Sequence, residues 1–192
     1  NQSIMRSVCA IGPSIYTGFY MDFGYWSPTA QGTLVYTSMM DELGIKPLED
    51  EQFWRILPYD KWLVVQSLSR ILLIDTNTKE ITYVSAQNTL SKVFLIGDEL
   101  YFQDISVGLF TIKNGQKKRI NDSSLAKEVR IIGACILDNN PTFISETNGI
   151  YLLQKDKLVP WRSDINESLK NEALYSALQR RNGDLVLGTI SD

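Results

Sequence analysis

The sequence predicts an all-β protein of repeated four-stranded antiparallel units, and three observations predict it. Helical periodicity is nearly absent, whereas short β-branched and aromatic runs punctuated by Asn, Gly and Asp recur throughout. Five short apolar runs each follow a polar turn and end in a small or polar residue: Ile15-Tyr-Thr-Gly18, Leu63-Val-Val-Gln66, Leu100-Tyr-Phe-Gln103, Thr142-Phe-Ile-Ser145 and Leu185-Val-Leu-Gly188. Their first residues lie 48, 37, 42 and 43 positions apart. A period of about 40 residues filled with strands is that of a β-propeller blade.

Each repeat reads as four strands, A to D, because apolar runs of strand length alternate with turn residues. The first, over 4–37, runs Ile4–Ala10, Ile15–Phe19, Phe23–Trp26 and Thr33–Thr37. The second, over 53–84, runs Phe53–Leu57, Trp62–Gln66, Ile71–Asp75 and Ile81–Val84. The third, over 91–120, runs Val93–Ile96, Leu100–Gln103, Leu109–Lys113 and Lys117–Ile120, and the fourth, over 129–161, Ile131–Leu137, Thr142–Ile144, Ile150–Gln154 and Leu158–Trp161. Residues 173–192 supply only A and B strands of a fifth. The expectation is a fragment of about four and a half blades in one continuous array, since such units bury their faces only against neighbours. Asp41-Glu-Leu-Gly44 and Ile165–Asn171 are expected to hold short helical turns, with Gly44 and Asn171 as stops. Both ends look cut from a longer chain, and the exposed blade edges are expected to self-associate.

Composition narrows function. The chain is 44% apolar and 21% charged, with 19 Lys and Arg against 22 Asp and Glu, which excludes disorder and gives no basic footprint for direct contact with nucleic acid. Histidine is absent, which removes Ser-His-Asp and Cys-His catalysis and His-ligated zinc. No run approaches a membrane span, and the N-terminus lacks the basic and apolar regions of a signal peptide. Cys9 and Cys135 lie in apolar runs and read as inert core thiols. No cofactor and no metal is expected.

Asp75-Thr-Asn-Thr-Lys-Glu80 opens like a calcium loop, but its sixth place is Glu80 rather than Gly and its twelfth is Ala86 rather than Glu, so it reads as a turn between strands C and D. The acidic runs Asp98-Glu99 and Glu49-Asp50-Glu51 read as solvated turns rather than the acid and base of a glycosidase, because adjacent strand residues point to opposite faces. Trp54, Trp62, Phe94, Tyr101, Phe102, Phe143, Tyr151 and Tyr175 lie in strands and are expected between blades. Strand A residues are mostly apolar, which disfavours catalytic acids there. In a propeller the B-to-C loops and D-to-A connections share the face where ligands dock, and Tyr20, Asp22, Asp104 and Glu146 fall in B-to-C loops. They are the candidate binding residues.

The last repeat, Ala173-Leu-Tyr-Ser-Ala-Leu-Gln-Arg-Arg-Asn-Gly-Asp-Leu-Val-Leu-Gly-Thr189, resembles the repeat signature of the two-component regulator propellers. Ser106-Val-Gly-Leu-Phe and Thr147-Asn-Gly-Ile-Tyr resemble the Gly-Leu-x-x-Tyr segment of that family, although its Trp-Ile-Gly-Thr tryptophan is Val186 here. Phe23-Gly-Tyr-Trp26 and Phe53-Trp54 with Trp62 are similar to a subgroup of bacterial sensor regulators. The resemblance implies a periplasmic, non-catalytic sensor region of a membrane-anchored transcriptional regulator, taking an oligosaccharide ligand. The alternatives are a protein-interaction scaffold without a small ligand, and a propeller-fold lyase or glycosidase.

Overall fold

The computed structural model describes residues 4–121, 125–170 and 172–190. Strands follow one another as antiparallel meanders, each pairing with its neighbours in sequence. The chain divides into two compact units, Asn1–Ala86 and Gln87–Asp192.

The first unit holds two four-stranded sheets. One is β1 (Ser7–Ile11), β2 (Ser14–Gly18), β3 (Phe23–Pro28) and β4 (Leu34–Ser38), in that order. The other is β5 (Arg55–Tyr59), β6 (Trp62–Gln66), β7 (Arg70–Asp75) and β8 (Ile81–Ser85). Between them lies α1 (Met39–Glu42), which starts two residues before the expected turn because Ser38 accepts the Asp41 amide and Met39 and Met40 are buried. Inward side chains alternate along the strands, as half-buried sheets require. Cys9, Ile11, Tyr16, Phe23 and Tyr25 of the first sheet pack with Ile56, Leu63, Val65, Leu72 and Ile74 of the second, around Met39, Met40, Ile45 and Phe53. Each fully buried aliphatic or Phe side chain contributes roughly 1.5–3 kcal/mol.

The second unit holds β9 (Thr89–Ile96), β10 (Glu99–Ile105), β11 (Gly108–Lys113) and β12 (Gln116–Arg119) in one sheet. A second sheet comprises β13 (Ile131–Leu137), β14 (Asn140–Ser145), β15 (Ile150–Gln154) and β16 (Lys157–Pro160), and β17 (Leu174–Gln179) pairs with β18 (Leu185–Thr189) in a two-stranded third. The helix α2 (Leu125–Glu128), which sequence reading did not anticipate, precedes β13, and α3 (Asp164–Leu169) follows β16. The proposed helix stop at Asn171 lies outside the described residues. Two apolar layers hold this unit. Phe94, Tyr101, Leu109 and Ile120 meet Ile131 and Phe143, and Ile132, Cys135 and Ile144 meet Leu174, Ala177, Leu185 and Leu187.

Turn chemistry sets the registers. Asp138-Asn139, Lys155-Asp156 and Asn114-Gly115 have positive φ at both central positions (49° and 59°, 48° and 67°, 51° and 74°), the mirror-image turn whose twist matches paired strands. The Asp75 segment is the turn between β7 and β8. Its carboxylate accepts the Asn77 and Thr78 amides at 2.9 and 3.0 Å and pairs with Lys61 at 2.8 Å, and the Lys61 bond foremost lowers its pKa to about 2.

Several expectations need correction. Trp54 is 40% exposed, because the A strand begins after it and leaves its ring at the rim. Tyr175 is 70% exposed, because the β17–β18 register shifts between Leu174 and Ser176 and Tyr175 is the residue passed over. Leu95 and Ile136, two apolar residues of strands A, sit 43% and 44% exposed, because they alternate with the buried residues of β9 and β13. Asp104 is not in a loop either. It lies in β10, which runs on to Ile105, and is fully buried.

One buried amide ties two sheets of the second unit. Gln103 in β10 donates through Nε2 to the Ala126 and Val129 carbonyls, both at 2.7 Å, and accepts the Ile131 amide at 2.8 Å through Oε1. Glutamine suits this position because its side chain carries both a donor pair and an acceptor. Gln103→Ala leaves these three backbone groups without their partner, at a cost of about 3 kcal/mol. Urea unfolding of the whole chain is expected to show that loss, and a midpoint within error of the parent would contradict it.

Candidate functional site

In both units B-to-C loops meet D-to-A connections through the backbone. In the first unit the Met21 amide donates to the Glu51 carbonyl at 2.7 Å, the Phe53 amide donates to the Phe19 carbonyl at 3.0 Å, and Tyr20 bridges Gln52. In the second unit the Glu146 amide donates to the Arg130 carbonyl at 2.8 Å and the Leu174 amide to the Glu146 carbonyl at 2.7 Å. These junctions make one rim within each unit.

The four candidates sit at such junctions, but their side chains do different things. Asp22 accepts Tyr36 Oη at 2.8 Å and Ser38 Oγ at 2.7 Å, fastening the end of β4. Burial and then this bond push the Tyr36 hydroxyl well above its usual pKa, so it stays a donor. Asp104 accepts the Gln87 and Asn88 amides at 2.7 and 3.1 Å, so both oxygens are spent on the connection that leads into β9. Tyr20 is 47% exposed and donates to Asp50 Oδ1 at 2.6 Å. That bond, followed by the Asp50 charge, raises the phenol above its ordinary pKa and fixes its ring at the rim. Glu146 holds its place through its backbone, and its carboxylate has no hydrogen-bond partner among the described residues.

Beside Tyr20 lies a pocket of about 120 Å³ lined by Glu49, Asp50, Glu51, Gln52, Trp54, Ser67, Leu68 and Ser69. The Oε1 atom of Gln52 is itself buried without a hydrogen-bond partner among the described residues. The walls are held by an ion pair that sequence reading took for solvated charge. Glu51 has no exposed side-chain surface and receives Arg70 Nε at 2.8 Å and Nη2 at 2.7 Å. The Leu48 amide adds a third bond at 2.9 Å, and Arg70 Nη2 also donates to the Lys46 carbonyl at 2.9 Å. A forked guanidinium matches a carboxylate with two parallel bonds. Burial opposes ionisation of Glu51, and the bonds from Arg70, Leu48 and Ser67 outweigh it, so the carboxyl titrates below the usual glutamate value. The only sequence signal was an acid four residues before β5 and an arginine opening β7, a pairing that distance along the chain conceals.

A larger groove of about 550 Å³ lies on the β13–β16 sheet, lined by Asp138, Leu152, Gln154, Val159, Pro160, Trp161 and Arg162, with Trp161 Nε1 donating to Asp138 at 3.2 Å. Burial pushes the Cys135 thiol to about 11, which keeps it protonated and unreactive. Among the described residues no group of three or more Cys, Asp or Glu is placed to hold a metal ion, and no helix is long and apolar enough to cross a membrane.

No family model and no curated protein matches the chain. Solved structures do. BamB from Moraxella catarrhalis superposes with a TM-score of 0.68 at 11% identity, covering 95% of this chain and 53% of that one. The WD40 β-propeller domain of Doa1 gives 0.58 at 11% identity over 95% and 60%, and the Neurospora crassa Pan2 WD40 domain 0.56 at 9% over 97% and 60%. The fold is that of a β-propeller. Each four-stranded sheet is a blade, β17 and β18 are two strands of a further one, and the chain spans little more than half the length of these propellers.

The Glu51–Arg70 pair carries a sign that acid titration reads. A folded carboxyl below its unfolded value of about 4.3 contributes stability that is complete above that pH and is lost as pH falls through the folded value. Unfolding free energy measured against pH is expected to fall more steeply below about pH 4.3 in the parent than in Glu51→Gln. Parallel acid limbs would contradict the pairing.

Proposed function

We propose that this propeller is a non-catalytic recognition module, the sensor region of a membrane-anchored two-component-type regulator, that it works in the periplasm and that it binds an oligosaccharide on the rim of its first unit. The observation that carries the ligand site is the exposed Tyr20 ring locked to Asp50 beside the pocket of Gln52 and Trp54. Aromatic faces pack against the apolar C–H faces of a pyranose, and amide and carboxylate oxygens accept its hydroxyls. Rigid rings cost little ordering entropy on binding. The sensor role and the periplasmic address rest on the resemblance of 173–189 to the regulator propellers.

Of the four residues picked from sequence, Tyr20 belongs to this site. Asp22 and Asp104 are spent on internal bonds, and Glu146 has no bond to a lining residue, whereas Tyr20 reaches the site through its bond to Asp50. Asp50, Gln52 and Trp54 take their place. The non-catalytic reading is supported by the absence of histidine and by carboxylates that serve as structural acceptors.

Calorimetry of an oligosaccharide panel on the whole chain is expected to find a ligand whose affinity falls about tenfold or more in Tyr20→Ala and in Trp54→Ala, with no product released over long incubation. Binding indifferent to both substitutions would place the site elsewhere. Hydrolysis abolished by replacing one carboxylate would overturn the non-catalytic reading.

A further inference from the structure

Blades within each unit meet by one rule: the back of a sheet, the face toward the next blade in sequence, packs on the front of that blade. In the first unit Cys9, Tyr16 and Tyr25 on the back of β1–β4 meet Ile56, Leu63 and Ile74 on the front of β5–β8. In the second unit Ile132, Cys135 and Ile144 on the back of β13–β16 meet Leu174, Ala177 and Leu187 on the front of β17–β18. One front and one back are left uncovered. The front of β1–β4 repeats the pairing of the next blade's front, since Val8 lies opposite Thr17 and Ile15 opposite Trp26, as Ile56 lies opposite Val65 and Leu63 opposite Ile74. Ile56 and Leu63 are buried, but Val8 and Ile15 are exposed, beside the packed rings of Trp26 and Tyr36. The back of β17–β18 repeats the blade before it, since the register passes over Tyr175 as it passes over Ile132, and Leu178 lies opposite Val186 as Cys135 lies opposite Thr142. Ile132 and Cys135 are each 6% exposed, whereas their counterparts Tyr175 and Leu178 are 70% and 67% exposed.

Neither open face is built for water. The strands β1–β4, β17 and β18 contain no charged residue, whereas the exposed strand β12 reads Gln-Lys-Lys-Arg. Sheet surface left to solvent is ordinarily guarded by charge, and exposed apolar patches mark interaction sites. We propose that the two faces are halves of one contact, and that the back of β17–β18 in one copy of this chain docks on the front of β1–β4 in a second copy. The occupant is a second copy because this chain carries both halves of a contact that it already makes between its own blades. A partner with one complementary surface covers one of the two faces and leaves the other bare. The two halves differ, so the contact is heterologous and occupies one face of each copy. The proposal is independent of the ligand reading above.

Sedimentation of the whole chain over a concentration series reaching about 100 μM tests it. The parent is expected to pass from single chains to larger species as concentration rises. Val8→Lys charges the front and Leu178→Lys the back, and each is expected to weaken association at least about tenfold. Mixed in equal amounts, the two variants are expected to recover a complex of one copy of each, because the first keeps its back and the second its front. Misfolded variants, or a contact between two identical faces, do not produce that recovery. A parent that stays a single chain throughout overturns the proposal and assigns the faces to other occupants, further blades of the same polypeptide included. Association untouched by either substitution, or a mixture of the two variants that stays monomeric, overturns it as well.

Discussion

A sheet that reverses direction every five or six residues leaves backbone amides and carbonyls at each reversal outside the strand ladder, and these must find partners if they are buried. The arrangement of this chain follows from how that demand is met on one side of its blades. Short two-residue turns close their own bonds on the A-to-B side. On the B-to-C side polar side chains add to the backbone bonds between loops and connections. Half-buried Asp22 holds the Ser38 and Tyr36 hydroxyls at the end of β4, and the buried side chains take backbone groups: Glu51 the Leu48 amide beside the Arg70 fork, Gln103 two carbonyls before β13 and its first amide, and Asp104 the amides that lead into β9. Asn166 completes the series. Its amide, fully buried, exchanges bonds with the Ile150 backbone and the Trp161 carbonyl, and it sits so close over Gly149, at φ 81°, that any side chain there would collide with it.

Such locks explain why the rim is both rigid and chemically uneven. A carboxylate that accepts two backbone amides is unavailable to a ligand, however well its position in the loop matches a binding face. What remains free is decided by what the locks leave over. In the first unit the Glu51–Arg70 fork consumes one acid of the run Glu49-Asp50-Glu51 and thereby fixes the other two outward, next to an aromatic ring whose hydroxyl Asp50 holds. Breaking a buried pair by removing one partner typically costs about 3–5 kcal/mol, so this stretch of loop is ordered at a strength uncommon for a rim.

The architecture was legible in the sequence because strand and turn signals are local. The 40-residue spacing, the Asn-Gly turn at 114–115 and the alternation of apolar residues need only near neighbours, and β6, β13 and β15 match expectation residue for residue. The strands that ran longer than expected, β9 above all, were extended through polar residues such as Ser91 and Lys92, which an apolar run does not include. The site was legible in position and not in role. Loop membership placed Tyr20 at the rim, but whether an acid faces solvent or a backbone amide depends on the far end of the chain segment it meets. Asp104 and Gln87 are such a pair, as are Glu51 and Arg70. Trp54 was misread for the same reason, since the strand assigned to it begins one residue later.

The central claim is that buried side chains, together with the backbone bonds between loops, hold the rim. Native-state hydrogen exchange of the whole chain, read amide by amide, tests it most directly. The amides of Leu48, Gln87, Asn88, Ile131 and Ile150, each donated to a carboxylate or amide oxygen, are predicted to exchange as slowly as those of the central strands. Exchange of these five at the rate of the exposed turn amides of Asp60 and Asn139 would contradict the account.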